Sequence, residues 1–171
     1  MDHPFPDAET RLPALSSEAA GYRDELRLWL RLLACANLIE GEIRSRLRAR
    51  FEVTLPRFDL MAQLERAPEG LTLGELSRRM MVSNGNVTGL VERMAKSGHI
   101  RRVPHPTDRR IVYVRLTESG RTAFAEMARV HAAWIAELVA GLEGGEARAL
   151  MELLGQLKQS VRSVVAEGGG T

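Results

Sequence analysis

The chain has 171 residues, enough for one compact domain or two small lobes, and its 44% hydrophobic and 27% charged residues exclude global disorder. No apolar run approaches the ~18 residues of a membrane span, and the opening MDHPFPDAETRLP lacks a basic-then-apolar secretion layout, so a cytoplasmic protein is expected. The single cysteine, Cys35, excludes a disulfide framework and a cysteine-rich zinc site.

Taken in chain order, residues 1–20, with Pro4, Pro6 and Pro13, read as a mobile arm. Tyr22 to about Arg50 is free of proline and carries Leu26, Trp29, Leu30, Leu33, Ile39, Ile43 and Leu47 at helical spacing. Leu28, Leu32, Cys35 and Leu38 broaden that stripe, which predicts a long helix packed on more than one side. Pro56 suits the first turn of a second helix, running to about Arg66 with Phe58, Met61 and Leu64 inward. Ala67-Pro68-Glu69-Gly70 ends it. Thr72-Leu73-Gly74-Glu75 is a capping box, so a third helix starts there and stops near Met81-Val82. Ser83 is the N-cap of a fourth helix, with Val87, Leu90, Val91 and Met94 on one face and Gly98 at its end. Two short helices joined by so short a turn form a helix-turn-helix.

Strand-like runs follow at Ile100 to Val103 and Ile111 to Leu116, joined by the turn chemistry of Pro104-His105-Pro106-Thr107-Asp108. Thr117 caps a long helix through Phe124, Met127, His131, Trp134, Leu138 and Leu142, which Gly144-Gly145 interrupts. A last helix runs from Glu146 to about Val165, with Leu150, Leu154, Leu157, Val161 and Val164 as a seam suited to another helix. The fold class is therefore mainly α with a small β-wing.

The net charge of +2 conceals a segregation. Between Thr72 and Leu116, nine Lys and Arg stand against three Asp and Glu, while the rest of the chain is net negative. A basic segment in an acidic frame suits a polyphosphate partner. The fourth helix opens with Asn84, Asn86 and Thr88, poor helix formers whose side chains suit base edges: Asn pairs with adenine, and the Thr methyl meets thymine. Arg93 and Lys96 follow, placed for the DNA backbone. Arg109 and Arg110 at the hairpin tip suit a narrow minor groove, with Asp108 orienting Arg109.

The order of LTLGELSRRM, MVSNGNVTGLVERMAKSGHIRR, the DRR wing and RLTESG resembles the multiple-antibiotic-resistance-regulator (MarR) family of winged helix-turn-helix transcription factors, over about residues 22–165. The resemblance implies a homodimer joined through residues 21–54 and 117–166, with residues 55–116 as the winged helix-turn-helix lobe. It carries DNA contact onto Ser83, Asn84, Asn86, Thr88 and Arg93 of the recognition helix, and onto Asp108, Arg109 and Arg110 of the wing. A repressor that leaves a palindromic operator on binding a small effector is implied. SNGNVT is similar to the branch controlling aromatic-acid catabolism, which implies an aromatic acid or its coenzyme A thioester. In the family the effector pocket lies between the dimer region and the DNA-binding lobe, which makes Trp29, Leu33, Phe58, Met61 and Trp134 the candidate lining. Arg27, Arg31 and Arg46 are cations available to an anionic effector.

Two other classes compete. A redox sensor would act through Cys35, but Cys35 falls well inside the first helix among Leu32, Leu33 and Leu38, where a buried inert thiol is expected. A protein-interaction module leaves the basic segment and the polar fourth helix unexplained. No enzyme is expected: His3, His99, His105 and His131 show no metal spacing with carboxylates, no phosphate loop is present, and no cofactor or metal is implied.

Overall fold

The computed structural model describes residues 21–105, 107–108 and 111–168. Among these, six helices and one two-stranded antiparallel sheet follow in the order α1 (Gly21–Phe51), α2 (Leu55–Glu65), α3 (Leu73–Met80), α4 (Asn84–Lys96), β1 (Ile100–Pro104), β2 (Val112–Leu116), α5 (Glu118–Leu138) and α6 (Glu146–Gly168). The expected arm lies outside the described residues. By contact the chain divides after Gly41, inside α1, and the two units are described separately.

The described part of the first unit, residues 21–41, is helix throughout, and Leu26, Leu28, Trp29, Leu33 and Leu38 are exposed on it. The expected burial of Cys35 is not observed: the thiol is exposed. A helix buries a side chain only against a second element, and the described residues of this unit supply none.

The second unit holds the core. Ile43 and Leu47 from α1 are buried, as are Phe58, Leu60, Met61 and Leu64 from α2, Leu76 from α3, and Val87, Leu90, Val91 and Met94 from α4. The hairpin adds Ile100, Val114 and Leu116, and α5 adds Met127 and Val130. No polar or charged side chain is buried among the described residues, so the core rests on apolar burial, ~1.5–3 kcal/mol for each fully buried large side chain.

Local chemistry explains the boundaries. α1 stops where Glu52 turns left-handed at φ 56°, its amide donating to the Arg48 carbonyl at 3.1 Å. Thr54 in extended geometry and Pro56 in the first turn then start α2. Thr117 caps α5 by accepting the Gly120 amide at 3.0 Å. That helix ends at Leu138, short of the expected Gly144, because Ala140 donates to the Glu137 carbonyl and Leu142 to that of Val139, bonds too tight to continue an α-helix. α6 continues three residues past the expected Val165.

The hairpin pairs Ile100 with Leu116 and Pro104 with Val112. A third extended residue, Leu71, bridges to Val114 through two backbone bonds of 3.1 and 2.8 Å. Gly70 makes this approach possible: it sits at φ 91°, and a Cβ there would stand 2.7 Å from Arg115 Cγ and 2.9 Å from the Val114 carbonyl oxygen. The wing is thereby tied to the start of α3.

Candidate nucleic-acid interface

The capping box that opens α3 is fully formed. Thr72 Oγ1 accepts the Glu75 amide at 3.2 Å, and the Glu75 carboxylate accepts the Thr72 amide at 2.8 Å and its hydroxyl at 2.7 Å. These bonds hold the Glu75 carboxyl below its usual range, the backbone bond contributing most. α3 closes at Met81, left-handed at φ 53°, and the turn of Met81, Val82 and Ser83 is pinned as Ser77 Oγ donates to the Val82 carbonyl at 2.6 Å. The crossing of the two helices is therefore fixed at both ends of the turn.

Ser83 caps α4, its hydroxyl accepting the Asn86 amide at 3.4 Å. Val87, Leu90, Val91 and Met94 face the core, leaving Ser83, Asn84, Asn86 and Arg93 exposed and Thr88 half-buried. The Thr88 hydroxyl is turned back onto the Asn84 carbonyl at 2.9 Å, so its capacity to donate is used within the helix. Arg78, Arg79, Lys96, Arg101 and Arg102 add exposed positive charge on the flanking elements.

Asp108 lies half-buried in the wing loop. Arg109 and Arg110 lie outside the described residues, and so does the expected Asp108–Arg109 contact. The loop around them is closed by the His105 amide donating to the Ile111 carbonyl at 2.9 Å and the Ile111 amide donating to that of Asp108 at 3.0 Å.

The five candidate pocket residues fall in different units, and the three in the second unit do not share one cavity there. Trp29 and Leu33 belong to the first unit and are exposed. Phe58 and Met61 are core side chains, while Trp134 is half-buried beside Phe51, with ring centroids 6.1 Å apart. Among the described residues of the second unit, two cavities bear on a ligand. One, of about 170 Å³, is lined by Phe51, Val53, Arg57, Met61, Met94, Ser97, His99, Ala123, Glu126 and Met127. The other, of about 390 Å³, is lined by Phe58, Asp59, Ala62, Gln63, Arg66, Arg79, Met80 and His131. His131 lies 4.8 Å from the Phe58 ring, and burial pushes its imidazole below the usual histidine range.

Of the candidate cations on the first helix, Arg46 is committed elsewhere. It holds Glu137 through both terminal nitrogens, at 2.7 and 3.0 Å, and Glu42 through Nε at 2.6 Å, while lying 6.0 Å from the centre of the Trp134 ring. The bonds to Glu137 and then Glu42 keep its guanidinium firmly protonated, and Arg46 in turn holds the Glu137 carboxyl low. Sequence reasoning had no signal for this clamp between α1 and α5, because its partners are 91 residues apart. It also had none for Arg66 and Arg79 sharing a cleft.

A capped short helix, a pinned three-residue turn, an amphipathic second helix with a polar outer face and an antiparallel hairpin together define a winged helix-turn-helix. Residues 53–112 match the model of the MarR family. The chain is 35% identical over 118 residues, 67% of each chain, to the transcriptional activatory protein BadR of Rhodopseudomonas palustris. A MarR family transcriptional regulator from Silicibacter pomeroyi is 31% identical, with a TM-score of 0.68 over 88% of this chain and 99% of that one. FabT of Streptococcus pneumoniae, crystallised in complex with DNA, is 25% identical, with a TM-score of 0.69 over 82% of this chain and 99% of FabT. The chain belongs to the MarR family of transcriptional regulators.

Proposed function

We propose that the chain acts as a homodimer that binds a palindromic operator in double-stranded DNA and responds to a small aromatic acid, or its coenzyme A thioester, as a repressor released by that ligand. The outer face of α4 carries the reading: Ser83, Asn84, Asn86 and Arg93 stand exposed on a helix whose opposite face is locked into the core. That is the arrangement a helix needs to enter a major groove without unfolding its own lobe. Thr88 contributes its methyl group, and Arg109 and Arg110 enter the adjacent minor groove, with Asp108 holding Arg109. The DNA complex of FabT supports DNA as the partner.

Residues 55–116 form the DNA-binding lobe in this reading, and residues 21–54 and 117–166 form the dimerisation region. Exposed apolar side chains support it: Trp29 and Leu38 on α1, and Met151, Leu153, Val161, Val164 and Val165 on α6, are each more than half exposed. A monomer rarely leaves so many large apolar side chains uncovered, and a second copy supplies their cover. A two-fold dimer sets its half-sites about one helical turn, ~10 bp, apart.

The effector site in this reading is the larger cavity, since about 390 Å³ falls within the range of small-molecule sites and about 170 Å³ below it. Phe58 and His131 offer a ring face, and Arg66 and Arg79 a carboxylate partner. Arg79 and Met80 end α3, directly before the turn into α4, so an occupant biases the recognition helix. A coenzyme A portion would extend outside this cavity.

The test is an anisotropy titration against DNA from upstream of the reading frame, repeated with aromatic acids and their coenzyme A thioesters. The reading expects tight binding that one compound releases, and an Arg66→Ala variant that binds DNA but no longer releases it. Absence of specific binding defeats the DNA reading. Binding that no compound disturbs defeats the aromatic effector, and release retained by Arg66→Ala moves the effector out of this cavity.

A further inference from the structure

We infer that His105 is the positioning residue of the wing, acting through one unprotonated ring nitrogen, an inference that rests on the DNA-binding reading above. His105 follows directly after β1 and lies half-buried, its ring 5.8 Å from that of Tyr113. The single lone pair of its Nδ1 is shared among the Thr107 amide at 3.2 Å, the Asp108 amide at 3.2 Å and the Thr107 hydroxyl at 3.1 Å. Backbone amides only donate, so Nδ1 only accepts, which places the ring proton on Nε2 and makes the Thr107 hydroxyl the donor.

The geometry gives this nitrogen control of the loop tip. The Asp108 carbonyl accepts the Ile111 amide at 3.0 Å, and the Ile111 carbonyl accepts the His105 amide at 2.9 Å. Asp108 and Ile111 therefore flank the loop tip, and in the sequence Arg109 and Arg110 stand between them. His105 holds the first corner by its side chain and the last by its backbone. A loop anchored only at Ile111 would leave the Asp108 amide to water. With Asp108 and Ile111 both anchored, less ordering of the wing is left for the moment of binding phosphate-rich DNA.

Three substitutions separate the acceptor from the ring. His105→Asn places an amide oxygen where Nδ1 stands, keeping the acceptor and losing the ring. His105→Phe keeps the ring against Tyr113 and loses the acceptor, and His105→Gln moves the acceptor one bond too far out. DNA affinity is measured by anisotropy on a duplex selected from a random-sequence pool by the parent protein, across a series of salt concentrations, with thermal unfolding of each variant alongside.

His105→Asn is expected to bind within about twofold of the parent, while the Phe and Gln variants weaken by roughly tenfold at ~150 mM salt. Their dependence of log K on log salt should also become shallower by about one to two units, approaching that of an Arg109→Ala/Arg110→Ala variant, since each phosphate contact contributes about 0.9. Asn binding no better than Phe, or a Phe variant with parental affinity and slope, overturns the inference. A parent protein that selects no duplex fails the DNA-binding reading itself, a result distinct from either of these.

Discussion

Gly120→Ala is the sharpest stability test, because helix propensity and packing predict opposite signs. Within α5, alanine in place of glycine favours the helix by about 0.8–1 kcal/mol. In this fold, however, a Cβ on Gly120 would lie inside the contact radius of the His99 carbonyl oxygen, 2.9 Å from the His99 carbonyl carbon and 3.2 Å from its Cα. The obstacle is backbone that cannot rotate away, so α5 and the start of β1 must separate by ~1 Å, at the ~1–3 kcal/mol typical of an overpacked site. The same carbonyl accepts the Thr117 amide at 3.0 Å, and the Thr117 hydroxyl donates to the Gly98 carbonyl at 2.7 Å. Weakening those bonds adds about 1 kcal/mol each. The net expectation is a loss of ~2–4 kcal/mol, read as a melting temperature lower by roughly 6–12 °C. Gly74→Ala is the control: nothing stands within 4 Å of its Cβ position, and parental or slightly raised stability, by up to about 1 kcal/mol, is expected. Thermal and urea unfolding by circular dichroism, at one fixed protomer concentration, measures both. A Gly120→Ala protein as stable as Gly74→Ala would refute the packing argument.

Two further outcomes are expected. Burial lowers the His131 pKa in the folded state, so its contribution to stability is full above the ordinary histidine value of about 6.5 and is lost as pH falls below it. His131→Leu should remove that part of the acid sensitivity, and urea midpoints that track the parent's between pH ~8 and ~5 would contradict the assignment. Val161 is more than half exposed on α6, so Val161→Asp should leave the core intact while lowering the mass measured by light scattering from dimer to monomer. An unchanged dimer would take this face out of the proposed interface.

What was legible in the sequence is what neighbouring residues decide among themselves. The capping box at Thr72 and Glu75 and the caps at Ser83 and Thr117 each need only three residues, and each helix begins where those residues say. The buried stripe of α4 follows from the same helical period. The RLT-x-x-G pattern also has a physical reading: Thr117 caps the helix, and Gly120 lets it pass the His99 carbonyl. The ends of α1 and α3 are legible within a residue or two, but not the left-handed conformation that Glu52 and Met81 take there without being glycine. Local rules expect glycine there, yet both residues are exposed non-glycines.

The candidate site divides along the same line. Ser83, Asn84 and Asn86 could be placed at the start of α4 from local rules, since exposure there follows from helical period. The pocket could not, because spacing along a helix does not say which helices meet: Phe58 and Met61 line different cavities although they are three residues apart. Arg66 and Arg79 share the larger cavity from separate helices. Cys35 shows the limit from the other side. A wide apolar stripe states that a helix has neighbours but not which elements or chains supply them, and the thiol and leucines of residues 21–41 stand exposed.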